Sequence, residues 1–257
     1  MGTRTEHAPG TFSWVDLATR DGAAAKQFYG ALFGWDFEDN EIPEEAGGGV
    51  YTMCKVGDDT AAAIAPTTQD VPPHWNSYVT VASADDAAAK AGELGANLIM
   101  EPFDVAEAGR MAVLADPTGA ALAVWEPRDS IGAMRVNDPG CLTWNELHTP
   151  DPPKALEFHT ALFGWGTEKM DTAEGGPSYT ILKLGERSNG GVMDAQEGEP
   201  PNWLPYFVVE DRDAAAEKAI ELGGRDLFRM EMPQGQIAVL TDPEGAPFGI
   251  WAGDTDD

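Results

Sequence analysis

Basic residues, cysteines and histidines are all scarce in this sequence. Sixteen lysines and arginines stand against 44 aspartates and glutamates, so the formal charge is −28. A charge of that sign repels nucleic-acid phosphates and anionic membrane surfaces, and we therefore expect no nucleic-acid partner. A well-solvated acidic surface explains this composition more simply than an acidic recognition role does.

Long apolar runs are missing too. No eighteen apolar residues occur in a row, and the first ten residues lack the apolar core that a signal peptide needs. The two cysteines, Cys54 and Cys141, have neither a redox spacing nor a metal-finger spacing, so we expect reduced, partly buried thiols. These absences predict a cytoplasmic protein with no membrane partner.

An internal repeat is present instead. The stretch FYGALFGW at 28–35 recurs as FHTALFGW at 158–165, an offset of 130 residues. Three further pairs of segments match at offsets of 130, 128 and 126: 11–17 with 141–147, 72–78 with 200–206, and 112–117 with 238–243. Small loop deletions explain the drift. A duplication of this length predicts that each half is a complete folding unit.

The repeat and the composition define the domain organisation. We predict a polar tail at 1–9, a first domain at 10–127, a linker at 128–139, a second domain at 140–253 and an acidic tail at 254–257. Each domain has the pattern of a strand, a helix and three strands, repeated once. Within the first domain, strands are predicted at 12–18, 50–56, 61–65, 75–81, 98–100, 111–115 and 121–125, and a second helix at 85–94.

The repeated stretch ends an amphipathic helix in each half. Apolar residues of the first copy recur with the helical period: Ala25, Phe28, Tyr29, Leu32 and Phe33. Gly34 stands where a left-handed cap belongs, and Asp21 and Asp151 are positioned to begin the two helices. In the strand before the first helix, Val15 and Leu17 share the face that packs on that helix.

Two markers recur in both halves and carry a family resemblance. One is the helix ending in Phe-x-x-Ala-Leu-Phe-Gly-Trp, and the other is the Asp-Pro-x-Gly hairpin at 116–119 and 242–245. Together they resemble the vicinal oxygen chelate superfamily, which includes glyoxalase I, extradiol dioxygenases, fosfomycin-resistance enzymes and bleomycin-binding proteins. Within it, the chain is similar to tandem two-domain actinobacterial proteins described as glyoxalase-like or as 27 kDa antigens. The resemblance implies an α+β fold in which paired βαβββ modules form a half-open curled sheet around a cavity in each domain.

The resemblance also implies where a divalent metal would be held. The superfamily uses histidines near the starts of the first and fifth strands and a glutamate on the eighth. Those positions of this chain hold Trp14, Asn76 and Ala123 in the first domain and Trp144, Leu204 and Gly249 in the second. An indole offers only a hydrogen-bond donor, and Asn76 alone is a weak ligand. We therefore predict no metal site and no other cofactor.

Strand alternation predicts that aromatic side chains and one carboxylate line each cavity. The first set is Trp14, Asp16, Asn76, Tyr78 and Trp125, and the second is Trp144, Glu146, His148, Tyr206 and Trp251. Such walls suit a flat or cationic organic ligand. The alternative is that these side chains fill the cavities as core, with Ala123 and Gly249 making room for the indoles.

The four histidines offer one candidate for acid–base chemistry. His148 shares a strand face with Glu146, and the pair can exchange protons near neutral pH. The alternative, which we favour, is a pair exposed at the cavity rim, because no third group can be assigned beside it. Asp16, the counterpart of Glu146, has only Ala18 as the equivalent neighbour, and His159 is interpreted as a hydrogen-bonded core residue.

Three functions fit these patterns. The one we favour is metal-independent binding or sequestration of a small aromatic or cationic molecule. The second is a glyoxalase-like lyase or hydroxylase-type oxygenase whose site is displaced to Glu146 and His148. The third is a structural or signalling protein with vestigial cavities. Whether the chain is an enzyme stays open, and the tandem fusion fits either a monomer or a homodimer.

Overall fold

The structure, a computed structural model, describes residues 2–44, 47–67, 71–170 and 178–255. The first half contains β1 (Phe12–Thr19), α1 (Gly22–Phe33), β2 (Asp36–Glu41), β3 (Val50–Val56), β4 (Asp59–Pro66), β5 (His74–Thr80), α2 (Ala84–Glu93), β6 (Asn97–Val105), β7 (Gly109–Ala115) and β8 (Ala121–Pro127). The second half contains β9 (Leu142–Thr149), α3 (Pro152–Phe163), β10 (Gly166–Met170), β11 (Tyr179–Leu184), β12 (Arg187–Asp194), β13 (Asn202–Val208), α4 (Arg212–Glu221), β14 (Arg225–Met232), β15 (Gly235–Thr241) and β16 (Pro247–Gly253).

Each half forms one mixed eight-stranded sheet, and the fold is α+β. The strand order is β2-β3-β4-β1-β5-β8-β7-β6 in the first sheet and β10-β11-β12-β9-β13-β16-β15-β14 in the second. The central pair β1 and β5 is antiparallel, whereas β1 runs parallel to β4 and β5 runs parallel to β8. Neither sheet closes into a barrel, which confirms the half-open arrangement that the family resemblance implies.

The ends of the first and third helices follow from local chemistry. The Asp21 carboxylate accepts a hydrogen bond from the Ala24 backbone N–H at 2.9 Å, and the backbone of Gly34 is left-handed with φ 71°. The second copy repeats this arrangement with Asp151 and with Gly164 at φ 74°. Both predicted caps are therefore confirmed.

The polar edge strand β2 was not among the predicted strands. Its sequence, DFEDNE, has no apolar alternation, and nearly all of it is exposed. The pairing of β2 with β3 holds it in place, so no pattern within the strand itself marks it. For a related reason, the predicted short strand at 98–100 extends as β6 to Val105, since its outer edge is unpaired.

The apolar cores cross between the two halves. Helix α1 contributes Phe28 and Tyr29 to a cluster that contains Phe207, Phe248 and Ile250 of the second half. The reciprocal cluster joins Phe158 and Leu162 of α3 to Leu114 and Val124 of the first half. The expectation that each half is a complete folding unit is therefore wrong, because each helix buries its apolar stripe against both sheets.

Polar contacts lock the shared cores at equivalent places. The Tyr29 hydroxyl donates to Asp242 at 3.3 Å, and His159 Nε2 donates to Asp116 at 2.9 Å. His159 is fully buried, so its interpretation as a hydrogen-bonded core residue is confirmed. Burial alone would raise the pKa of Asp116, but the hydrogen bond and charge of His159 bring it below its usual value.

Both cysteines are free and buried, in line with the sequence-based expectation. Burial raises the pKa of Cys141 to about 12, so its thiol stays protonated at neutral pH. In the described part of the chain, no helix combines the length and the apolar character needed to cross a membrane.

Candidate functional site

Each sheet has one face turned away from the helices, and both faces carry a polar network. The first face bears Trp14 and Asp16, whose neighbours Val15 and Leu17 point into the core beneath α1. The second face bears Trp144 and Glu146 at the equivalent places of β9. We call these surfaces the first face and the second face.

Asp16 is the centre of the first network. It is 3% exposed and accepts hydrogen bonds from Tyr78 Oη at 2.7 Å, Asn76 Nδ2 at 2.8 Å and Tyr51 Oη at 3.2 Å. The Trp14 indole donates to the Tyr51 hydroxyl at 2.9 Å. Asp16 therefore has three polar partners, which corrects the expectation that only Ala18 lies beside it. Burial raises the pKa of Asp16, although these hydrogen bonds oppose the rise.

Glu146 holds the same place in the second network. Its carboxylate accepts hydrogen bonds from Tyr179 Oη at 2.8 Å, Tyr206 Oη at 2.9 Å and His148 Nε2 at 2.8 Å. The Trp144 indole donates to the Tyr179 hydroxyl at 2.9 Å. The chain of tryptophan, tyrosine, carboxylate and tyrosine thus occurs on both faces.

The second face adds a carboxylate on the far side of His148. His148 Nδ1 lies 2.7 Å from Glu199 Oε1, which also accepts from Asn202 Nδ2 at 3.0 Å. Burial alone would lower the pKa of His148, but the hydrogen bonds and charges of Glu146 and Glu199 outweigh it and raise the pKa. At neutral pH this favours an imidazolium that donates from both ring nitrogens.

This arrangement differs from the exposed rim pair that we favoured from sequence. The side chains of His148 and Glu146 are only 12% and 9% exposed. Glu199, in the loop before β13, is the third group that sequence reasoning did not find. No strand alternation or repeat spacing points to a loop residue, so its position depends on the loop path alone.

The two outer tyrosines were also missed, although the sequence carried a signal for them. Tyr51 and Tyr179 differ by 128 residues, the same offset that aligns 72–78 with 200–206. Extending the repeat to the third strand of each half would have paired them. Of the ten predicted lining residues, eight belong to the two networks. Trp125 and Trp251 instead donate to the backbone carbonyls of Ser130 and Asp254.

Small residues under the tyrosines differ between the faces. A Cβ on Gly249 would lie 2.2 Å from the Tyr206 ring, and one on Gly191 would lie 2.1 Å from the Tyr179 hydroxyl. At the equivalent register positions, the first sheet carries Ala123 and Ala63. Gly249 therefore makes room for a tyrosine rather than for the Trp144 indole, which corrects the sequence-based interpretation.

The predicted linker covers part of the first face. The Ala133 backbone N–H donates to the Ser13 carbonyl and that of Met134 to the Thr60 carbonyl, both at 2.8 Å. Ala133 is fully buried in a cluster that also contains Trp14 and other first-face residues: Tyr78, Ala123 and Trp125. On the second face, by contrast, Trp144, Tyr179 and Trp251 are only half-buried.

The side chains present do not fit a divalent metal at the superfamily's usual positions. The indoles of Trp14 and Trp144 use their only polar atoms as donors to tyrosines. The nearest imidazole, that of His148, has both nitrogens hydrogen-bonded to carboxylates, which leaves no lone pair directed at an ion. Within the described residues, no three histidine, cysteine, aspartate or glutamate side chains converge on a metal-sized point.

Comparison with known proteins agrees with this fold. Residues 11–124 match the family described as Glyoxalase/Bleomycin resistance protein/Dioxygenase superfamily, and residues 144–251 match the Glyoxalase-like domain. The chain is 42% identical over 257 residues to the "Putative glyoxylase CFP32" of Mycobacterium tuberculosis (strain CDC 1551 / Oshkosh), with 97% of each chain covered. It is 33% identical over 264 residues to the "Anthracycline biosynthesis protein DnrV" of Streptomyces peucetius, with 96% of this chain and 94% of that protein covered.

Solved structures share the architecture at low sequence identity. The 2,3-dioxygenase LapB from Pseudomonas sp. KL28 superposes with a TM-score of 0.68 at 13% identity, covering 98% of this chain and 96% of that one. The Mn(II)-bound glyoxalase from Novosphingobium aromaticivorans gives a TM-score of 0.66 at 15% identity, covering 100% and 85%. At such identities the likeness extends to the fold alone.

Proposed function

We propose that this chain, which belongs to the Glyoxalase/Bleomycin resistance protein/Dioxygenase superfamily, binds a small flat organic cation at its second face. The observation that carries the proposal is the coincidence of half-buried aromatic rings and an excess of negative charge on that face. Each feature has a distinct role in binding, and each can be tested separately.

The aromatic rings supply the flat surface. Trp144, Tyr179 and Trp251 keep part of their surface accessible, whereas the matching Trp14 and Trp125 are below 9% exposed. Hydrogen bonds fix the orientation of Trp144 and Tyr179, so a bound ring would not have to immobilise them. Stacking on an aromatic face contributes on the order of 1 kcal/mol beyond the buried area.

The charges supply the preference for a cation. Two carboxylates and one imidazolium leave a single net negative charge on the set formed by Glu146, His148 and Glu199. The Glu199 side chain is 26% exposed, the most accessible of the three. At the same offsets the first half carries Val71 and Ala18, so this charged set belongs to the second face alone.

We propose that binding needs no metal. The support is the chemistry of the side chains described above, in which indole donors and a doubly hydrogen-bonded imidazole replace a ligand set. One relative's name, an anthracycline biosynthesis protein, is consistent with a polycyclic aromatic ligand. The names of the relatives do not identify the ligand of this chain.

Two matched probes test the proposal. N-methylquinolinium is a permanent flat cation, and quinoline is a nearly isosteric ring that is neutral at pH 7.5. Isothermal titration calorimetry on chelator-treated protein should show binding of the cation about tenfold tighter than binding of quinoline. Trp144→Ala should abolish the binding of both probes, because it removes the stacking surface.

The charge preference has its own control. Glu199→Gln should bring the affinities of the two probes to within about twofold, since it removes the accessible carboxylate. Glu217→Gln removes the same charge from the exposed face of α4 and should leave the preference intact. If Glu217→Gln abolished the preference as well, the effect would come from the overall charge of −28 rather than from the second face.

A second candidate function is proton-transfer catalysis, and the Glu146–His148–Glu199 hydrogen-bonded set is the observation that favours it. The names of the mycobacterial relatives suggest the thiol adduct of methylglyoxal as the substrate to test. Turnover that His148→Gln lowers at least a hundredfold, with the fold intact by circular dichroism, would establish it. Equal turnover by the two proteins would exclude a role for His148.

A further inference from the structure

The first face carries the same network as the second but lies beneath residues 130–136, which we call the strap. We propose that the first face is a latent second binding site for flat aromatic molecules and that the strap holds it shut. This inference rests on the proposed function, since it assumes that the second face binds such molecules. It predicts one site in the intact chain and two when the strap is displaced.

The two networks match closely in geometry. The tryptophan-to-tyrosine hydrogen bond is 2.9 Å on both faces, from Trp14 to Tyr51 and from Trp144 to Tyr179. The inner tyrosine lies 2.7 Å from the Asp16 carboxylate on the first face and 2.9 Å from the Glu146 carboxylate on the second. A surface able to hold a planar ring on one face therefore has its counterpart on the other.

Small residues and backbone hydrogen bonds attach the strap. Ala133 and Met134 donate their backbone N–H groups to Ser13 and Thr60, and the Thr60 hydroxyl donates to the Gly132 carbonyl at 3.2 Å. The Met134 side chain is 39% exposed, so the strap's largest apolar group contributes little to the contact. The strap thus excludes solvent from the face without inserting a bulky side chain.

The N-terminal residues form a second layer over the strap. Arg4 donates its backbone N–H to the Met134 carbonyl, and Val136 donates to the Gly2 carbonyl, both at 2.8 Å. The His7 ring donates to the Ala133 carbonyl at 2.7 Å. These contacts hold the strap on the face from its outer side, so the closed state depends on two segments rather than one.

Gly132 is the position at which the closed state can be broken. Its φ is +94°, and an added Cβ would lie 2.5 Å from the Ser13 carbonyl oxygen and 3.4 Å from Trp14 Cβ. Both neighbours belong to β1, which cannot move aside without disturbing the sheet. Any side chain at this position must therefore lift the strap.

The experiment compares Gly132→Val with Gly185→Val in the full-length chain. Gly185 also has a positive φ, +62°, but no atom lies within 4 Å of its added Cβ, so the control reproduces the backbone strain without the clash. Amide hydrogen exchange at Ala133 and Met134 reports whether the strap is released, and calorimetry with N-methylquinolinium reports the number of sites. If Gly132→Val does not fold, Gly132→Ala introduces the clashing atom alone.

We expect at least tenfold faster exchange and two sites per chain in the Gly132 variant, against slow exchange and one site in the wild type and in Gly185→Val. One site together with fast exchange would overturn the latent-site inference alone, and so would two sites in the wild type. Unchanged exchange in both Gly132 variants would show that the strap is not a removable cover. Failure of the wild type to bind the probe would overturn the proposed function and this inference with it.

Discussion

The two faces show how one network can be kept while its surroundings change. Both hold a carboxylate between two tyrosines with a tryptophan at the outer end, yet the first lies under the strap and the second is partly accessible. The sheets beneath them have the same strand order. The difference teaches that the two halves of this duplicated chain differ in access and charge rather than in framework.

The networks also differ by a coupled exchange of size. Glu146 is one methylene longer than Asp16, and the positions beside it are Gly191 and Gly249 where the first sheet has Ala63 and Ala123. Without Cβ atoms below them, the rings of Tyr179 and Tyr206 sit against the backbone. Carboxylate length and glycine content therefore depend on each other.

The largest effect is expected where this exchange is broken on one side only. Gly249→Ala places a Cβ 2.2 Å from the Tyr206 ring and should lower the free energy of unfolding by about 3 kcal/mol, because the ring is held in place by Glu146. Ala123→Gly on the first face only removes a methyl group and should cost about 1 kcal/mol. Urea unfolding of both variants measures the difference, and equal losses would contradict the size argument.

A smaller effect is expected when each carboxylate becomes an amide. Glu146→Gln should cost about 2 kcal/mol, since the new NH2 group faces donors and the Tyr179 hydroxyl already accepts from Trp144. Asp16→Asn should cost less at neutral pH. Burial raises the pKa of Asp16 in the folded state, so its contribution to stability falls as pH rises through the ordinary aspartate value. Urea unfolding at pH 4 and pH 7 checks this: the Asn variant should gain on the wild type at the higher pH.

The charged set of the second face predicts a pH dependence that the first face lacks. The pKa of His148 is raised by Glu146 and Glu199 against the effect of burial, so its stabilisation is complete below the ordinary histidine pKa and is lost as pH rises through the raised value. Denaturant unfolding between pH 6 and pH 9 should show this loss in the wild type. His148→Gln should flatten the curve in that window, and an unchanged slope would remove His148 from the explanation.

The smallest effect is expected at the outer tryptophans. Trp14→Phe and Trp144→Phe each remove one indole donor from a tyrosine, worth roughly 0.5 to 1.5 kcal/mol. The loss should be larger for Trp14, because Trp14 is buried and water cannot replace its hydrogen bond to Tyr51 as readily. Thermal unfolding ranks the two variants, and the reverse order would show that the first face is the more hydrated one.

Features with a local cause could be predicted from the sequence. The two helices that follow β1 and β9 begin at Asp21 and Asp151 and end at Gly34 and Gly164, because capping acts within one turn. The alternation along β1 placed Trp14 and Asp16 opposite the core for the same reason.

Features that depend on distant parts of the chain were missed. Strand β2 exists because β3 pairs with it, and Glu199 reaches His148 because a loop folds back over β9. The sharing of each core between the halves was missed as well, because a repeat shows that two segments are alike but not which surfaces they bury together.

The sequence by itself determined the α+β framework, the tandem repeat and the family, because periodicity and caps depend on neighbours within a few residues and the repeat can be read directly. Only the tertiary structure decided that the strap lies on the first face and that a third group orients His148 on the second. Those outcomes depend on contacts between segments 50 to 120 residues apart, from His148 to Glu199 and from Ser13 to Ala133, for which no local pattern exists.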